Sequence, residues 1–180
     1  MIGRLIAVVG PSGAGKDTIL SAARPYLPSA LFARRAITRP SAPETEDFDA
    51  VSEAAFLQRE AEGGFAITWQ AHGLHYGIPV EIDRALDEGR MVIFNGSRKA
   101  LPGVRQRYPD MGVVAITASP EVLAARLAAR GRESADEIAD RLARADLAMP
   151  AEAAVVINDT TPADGVAQFL ATLNRSAQSG

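Results

Sequence analysis

The chain contains no cysteine. Disulfides, thiolate metal sites and cysteine nucleophiles are therefore excluded. Histidine is nearly as scarce: His72 and His75 are the only two, too few for a histidine-based structural zinc site. Lysine is reduced to Lys16 and Lys99, so almost all the positive charge is arginine. No apolar run approaches the roughly 18 residues of a membrane span. The run Leu5–Val9 is too short for a signal peptide and lacks a small-residue cleavage site. Acidic residues outnumber basic ones, 22 to 19, for a net charge of −3. That leaves no broad basic face for nucleic acid or a membrane surface, so a cationic site has to be local. The expectation is a soluble cytoplasmic protein with small-molecule partners; nothing in the sequence sets an oligomeric state.

What is present fits one compact domain spanning residues 1–180, with 47% hydrophobic residues to build its core. Leu5–Val9, Met91–Phe94, Val113–Thr117 and Ala154–Ile157 are short apolar runs without polar alternation. They predict buried parallel strands covered on both faces. Ala36–Thr38 and Ala66–Trp69 are weaker strand candidates, and Trp69 reads as core. Between them fall helical patterns: Lys16–Pro25, Ser52–Glu62 with Phe56 and Leu57 on one side, Pro79–Glu88 stopped by Gly89, and Pro120–Arg130 stopped by Gly131. Ser134 and Glu137 have capping-box spacing for a helix to Met149. A last helix opens at Thr161 and runs to about Asn174, with Ser176–Gly180 frayed. Pro40–Asp49 reads as a loop. Strands alternating with helices predict an α/β fold with a central parallel sheet.

Gly10-Pro11-Ser12-Gly13-Ala14-Gly15-Lys16 follows the first strand and precedes the first helix. This is the context of a phosphate-binding loop in a P-loop NTPase fold of three layers. Glycines let successive N–H groups curl toward phosphate oxygens, the helix aims its N-terminus at the same anion, and Lys16 supplies a mobile charge for the β- and γ-phosphates of ATP. The residue after this lysine is normally Ser or Thr, whose hydroxyl binds Mg²⁺; here it is Asp17, followed by Thr18. Thr18 points about 100° away from Asp17 on a helix. Asp17 either holds Mg²⁺, directly or through water, or caps the helix N-terminus.

Arg126 and Arg130 share a helix face at a spacing of four, and Arg132, Arg141 and Arg144 follow. Phosphoryl transfer needs cations that close over the γ-phosphate, so residues from about 126 to 144 read as a lid, with Arg130 and Arg141 in catalytic roles and Arg126 on the nucleotide. The competing reading is a solvated helix pair bridged by Glu133, Asp136, Glu137 and Asp140.

The chain resembles the guanylate kinase family over almost its whole length. The resemblance rests on the glycine loop at 10–16, Thr38-Arg39-Pro40, the acidic loop to Asp47-Phe48, His72-Gly73 with Tyr76-Gly77, and Arg130-Gly131 with Arg141-Leu142. It implies an acceptor-binding region at about 34–90, where Arg39 and Tyr76 match residues that hold the acceptor phosphate. Ala42 stands where that family has a second Arg, and Phe48 where it has a second Tyr. The family reads guanine with a Glu in the middle segment and a Ser or Thr after Tyr-Gly. No Glu lies between Gly63 and Gly77, and Ile78 follows Gly77. An unpaired guanine edge costs about 1–3 kcal/mol per group, which argues against GMP.

A closer similarity is to the ribose 1,5-bisphosphate phosphokinases, a family associated with bacterial phosphonate degradation. It is carried by Gly15-Lys16-Asp17, Asn95-Gly96-Ser97-Arg98 and Arg130-Gly131-Arg132-Glu133. It implies Mg-ATP-dependent phosphorylation of ribose 1,5-bisphosphate to 5-phosphoribosyl 1-diphosphate. Arg39, Tyr76, Asn95, Ser97, Arg98 and Arg132 are then the substrate contacts. Asn95–Arg98 ends a predicted central strand, where ligands bind in open parallel sheets, and Lys99 adds to the local charge. His72 and His75 read as hydrogen-bonding residues. The alternatives are a guanylate or other nucleoside-monophosphate kinase and, in another class, an inactive guanylate-kinase-like interaction domain.

Overall fold

Leu5 through Val9 are each at most 4% exposed, so the first apolar run is buried on both faces, as a central strand requires. It forms β1 (Arg4–Val9). The computed structural model describes residues 3–40, 47–129 and 149–178. After β1 come α1 (Lys16–Ala23), a 3₁₀ turn (Arg24–Tyr26), β2 (Leu31–Phe32), β3 (Ala36–Ile37), β4 (Asp49–Ala50), α2 (Glu53–Ala61) and β5 (Phe65–Ala71). Then follow β6 (Leu74–Pro79), α3 (Glu81–Asp87), β7 (Met91–Asn95), α4 (Leu101–Arg107), β8 (Gly112–Thr117), α5 (Pro120–Ala129), β9 (Ala154–Ile157) and α6 (Pro162–Gln178). One sheet has strand order β2-β7-β1-β8-β9, a second β4-β3-β6-β5. The chain groups into two compact units, Met1–Ala7 with Leu27–Met111, and Val8–Tyr26 with Gly112–Gly180. No helix among the described residues is long and apolar enough to cross a membrane.

In the first unit β2 runs parallel to β7, Leu31 opposite Val92. The second sheet is mixed: β3 is parallel to β4 and antiparallel to β6, which pairs antiparallel with β5. His72 (φ 54) and Gly73 (φ 71) make the β5–β6 turn, and two successive positive φ values match the twist a tight hairpin needs. Ser52 caps α2, its Oγ accepting from the Ala55 N–H at 3.2 Å. That helix drops Phe56 onto Phe65, ring centroids 4.6 Å apart, and both pack with Ala36. Burying Phe56 contributes about 1.5–3 kcal/mol.

In the second unit β8 runs parallel to β9, from Val114 opposite Ala154 to Thr117 opposite Ile157. Helix α6 packs on α1 and β9, and its Val166, Phe169 and Leu173 are buried. Its first turn is a reciprocal cap: the Asp164 N–H donates to Thr161 Oγ1 at 3.2 Å, and the Thr161 hydroxyl donates to Asp164 Oδ2 at 2.8 Å.

Several expectations need correction. Val155 and Ile157 are 49% and 53% exposed, so β9 is an edge strand and is not covered on both faces. Phe56 is buried while Leu57 is 45% exposed; neighbours on a helix diverge by about 100°, so the two do not share a side. Pro79 ends β6, and α3 starts only at Glu81. The last helix continues to Gln178, through the first three of the residues expected to fray; Ser179 and Gly180 lie outside the described residues. Asp49 belongs to β4, not to a loop. The predicted helix Ser134–Met149 lies outside the described residues, apart from Met149.

Candidate active site

The phosphate loop owes its shape to three glycines in the second unit. Gly10, Gly13 and Gly15 have φ of 147°, 87° and 84°, a region that side chains disfavour. A Cβ on Gly10 would overlap the Ile116 carbonyl, so β8 passes too close for any other residue. The Lys16 ammonium donates to the carbonyls of Gly10 and Pro11, each at 2.9 Å, and is thereby held over the curled loop. Gly15 is the N-cap of α1 and supplies no side-chain cap. Ser12 is exposed, Ala14 buried, Asp17 half-buried in the first turn, and Thr18 exposed.

Two residues brace this loop from behind. Asn158 Nδ2 donates to the Ala14 carbonyl at 2.8 Å, and Arg126 Nη2 donates to the Asn158 carbonyl at 2.8 Å. Arg126 Nη1 and Asn158 Oδ1 are buried and have no hydrogen-bond partner among the described residues. A Cβ on Gly15 would stand 3.9 Å from that Nη1. A glycine-curled loop at a helix N-terminus, a lysine held over it and a half-buried guanidinium beside it fit a polyphosphate. Asp17 stands in the first turn of α1, the carboxylate next to Lys16 in sequence. Among the described residues no cluster of three or more His, Cys, Asp or Glu could hold a metal ion, and Mg²⁺ with a nucleotide needs only one or two carboxylates.

Of the predicted acceptor residues, Arg39, Tyr76, Asn95, Ser97 and Arg98 lie in the first unit. Arg39 lines an open cleft of about 430 Å³ together with Thr38, Pro40, Val51, Ser52 and Glu53. Its guanidinium lies 4.5 Å from the centroid of the Phe48 ring. Phe48 is 6% exposed, so where the related kinases have a phenol this chain has a buried apolar shelf under its arginine. Glu53 stands 3.6 Å from His75 Nε2, and the His75 N–H donates to Thr38 Oγ1 at 2.9 Å. The bond to Thr38 comes from the His75 backbone, and the His75 ring pairs with Gln70, Nδ1 lying 3.4 Å from Gln70 Nε2, while His72 is an exposed turn residue.

Tyr76 belongs to a second cluster. Its ring stacks on Trp69 with centroids 5.2 Å apart and planes 6° from parallel. The Arg35 guanidinium sits 5.6 Å from the Tyr76 centroid and donates to the Asn95 carbonyl at 3.1 Å. Arg35 thereby joins two predicted contacts, Tyr76 and Asn95, and was not foreseen. Asn95 is buried at the end of β7, and Ser97 and Arg98 are half-buried in the following turn. Burial pulls the Arg98 guanidinium below its ordinary pKa, the mark of a partly desolvated cation. Trp69 is half-buried and not core, since exposure alternates along β5 from Thr68 onward. Ile78 is fully buried, so no ligand meets it; the case against guanine there rests on the missing Glu alone. Arg130, Arg132, Arg141 and Arg144 lie outside the described residues.

Residues 2–173 match the guanylate kinase family. The chain is 54% identical over 177 residues to a ribose 1,5-bisphosphate phosphokinase of Acidiphilium cryptum (strain JF-5), covering 96% of this chain and 93% of that protein. The chain belongs to the guanylate kinase family, on its ribose 1,5-bisphosphate phosphokinase branch. A bifunctional ribose 1,5-bisphosphokinase-thymidine phosphorylase of Cupriavidus pinatubonensis (strain JMP 134 / LMG 1197) is 45% identical, over 99% of this chain; the chain spans 30% of that longer protein. Among solved structures, guanylate kinase from Anaplasma phagocytophilum superposes with a TM-score of 0.69 at 18% identity, covering 99% of this chain and 88% of that one. The P-loop α/β fold expected from the sequence is therefore the fold found, and the chain is a kinase.

Proposed function

We propose that the chain transfers the γ-phosphate of Mg-ATP to the anomeric phosphate of ribose 1,5-bisphosphate, giving 5-phosphoribosyl 1-diphosphate and ADP. An oxygen of the C1 phosphate attacks the γ-phosphorus as the bond to the ADP oxygen breaks. That oxygen is already anionic at neutral pH, so the reaction needs positioning and charge neutralisation, not a strong base. Lys16 leaves the two loop carbonyls for the nucleotide phosphates, and Arg126 adds charge behind the loop. Asp17 would hold Mg²⁺, directly or through water, and the ion would supply neutralising charge to the nucleotide phosphates.

The observation that carries the acceptor assignment is the pairing of Arg39 with Phe48 and of Arg35 with Tyr76 and Asn95. Both arrangements present guanidinium groups, which suits a sugar bearing two phosphates. Ser97 and Arg98 contribute at the end of β7. Residues 126–144 act as a lid, with Arg130 and Arg141 closing over the γ-phosphate and Arg132 on the substrate. The residues form one kinase domain with a phosphate acceptor, cytoplasmic because it uses ATP, with small molecules as partners. The role is to supply 5-phosphoribosyl 1-diphosphate during phosphonate breakdown.

One observation favours a second reading. The half-buried Trp69–Tyr76 stack offers an aromatic face, which a nucleoside monophosphate could use. A coupled ADP-release assay with ribose 1,5-bisphosphate, GMP and AMP separates the two. The proposal expects turnover of the sugar and little or none of the nucleotides; a kcat/KM for GMP at or above that for the sugar bisphosphate would sink it.

A further inference from the structure

Asn158 directly follows β9, yet its side chain bonds to a loop 144 positions away in the chain. The residue is fixed on every side. Its N–H donates to the Thr117 carbonyl at 2.8 Å, continuing the β8–β9 register. Its own carbonyl accepts from Arg126 of α5. A Cβ on Gly165 would stand 2.9 Å from Asn158 Oδ1, so the start of α6 closes over the amide. The remaining side faces the phosphate loop, where a Cβ on Gly15 would come within 2.6 Å of Nδ2. At 5% exposure the amide has no room to turn.

We infer that Asn158 is a positioning residue for the phosphate loop: its amide holds the peptide between Ala14 and Gly15 so that the Gly15 N–H points into the cradle. The chemistry is that of a planar trans peptide, in which C=O and N–H point in opposite directions. With the Ala14 carbonyl tied back to Asn158, the N–H of the same peptide unit is turned away from Asn158. Release of the carbonyl frees the plane to rotate, which glycine at positive φ permits on its side of the unit. The donor is the functional half of the amide. Oδ1 has no partner among the described residues, and the reverse orientation would press two oxygens together at the Ala14 carbonyl. Aspartate, of the same shape, cannot supply the bond when ionised. Asn158 touches no reacting atom; it acts through the backbone it orients.

The inference rests on the nucleotide reading of the loop, and one set of measurements separates the two. Asn158→Asp and Asn158→Ala are compared with the full wild-type chain for MgADP affinity by calorimetry, KM for ATP, KM for ribose 1,5-bisphosphate, and nucleotide-free melting temperature. Both variants should lose MgADP affinity on the order of tenfold, the loss of one buried hydrogen bond at the phosphate site. KM for ATP should rise in step while KM for the acceptor stays within about twofold. A merely structural residue would show a lower melting temperature with both KM values shifted together, and that pattern overturns the inference. So does Asn158→Asp binding MgADP like the wild type; this variant keeps the packing and decides the matter if Asn158→Ala fails to fold. A wild-type chain with no MgADP affinity would overturn the nucleotide reading itself and the inference with it.

Discussion

Arg39 lays its guanidinium over the ring of Phe48, 4.5 Å from the centroid, on the wall of an open cleft. A flat apolar shelf limits how an arginine can turn and leaves its N–H edge to bind in-plane acceptors such as phosphate oxygens. Phe48→Leu keeps an apolar residue at this buried position and removes the π-face. It should raise KM for the sugar bisphosphate about two- to tenfold, from the loss of a cation–π contact, with KM for ATP unchanged. Initial-rate kinetics varying each substrate in turn check this; an unchanged acceptor KM would show that the shelf does not orient Arg39.

Lys16→Ala should reduce turnover by on the order of 10²–10³ or more, since a charge aimed at the transferring phosphate is lost. The fold should persist, because the half-buried ammonium donates to two carbonyls of its own loop. Circular dichroism alongside turnover tests both halves. Wild-type turnover in a folded variant would remove the loop from the mechanism.

The cap of α6 makes stability pH-dependent. Hydrogen bonds from Thr161 and then Thr160 hold the Asp164 carboxyl below its ordinary value of 3.8. A depressed carboxylate pKa stabilises the folded state above the unfolded value, and the contribution is lost as pH falls through the folded one. Asp164→Ala should therefore melt below the wild type at neutral pH, and the gap should close as pH drops below 3.8. Thermal melts of both proteins across that range decide it; a gap independent of pH would mean the carboxylate charge is not what caps the helix.

The strands β1, β7, β8 and β9 were legible because each is a contiguous apolar run, even though β9 proved to be an edge. The two-residue strands β2 and β4 exist only through their pairing and leave no pattern in sequence. Helix α4 contains Pro102 and Gly103, which oppose it locally, and is anchored by Leu101 and Val104 buried three apart. The site divides in the same way. The phosphate loop is contiguous, so its chemistry could be read directly. Arg35 meets the backbone of Asn95 from 60 positions away, and Asn158 meets that of Ala14. A side chain whose partner is a distant carbonyl carries no local signature.

Arg35 offers the sharpest test of the acceptor site. Its guanidinium is tied to the Asn95 carbonyl and lies near the Tyr76 ring, two residues proposed above as substrate contacts. A guanidinium stays charged across the working pH range, so its value to a phosphate ligand is charge plus fixed direction. Arg35→Met retains length and apolar contact with Tyr76 but removes the charge. Acceptor KM should rise on the order of tenfold or more, the magnitude of a lost charge-assisted hydrogen bond, while MgADP affinity is unchanged. Arg35→Lys keeps the charge but not the planar fork and should fall between the two. Calorimetry with MgADP and initial rates over a range of ribose 1,5-bisphosphate give both readouts. If Arg35→Met leaves acceptor KM at the wild-type value, Arg35 only braces β7 against β6, and the acceptor phosphates are held elsewhere.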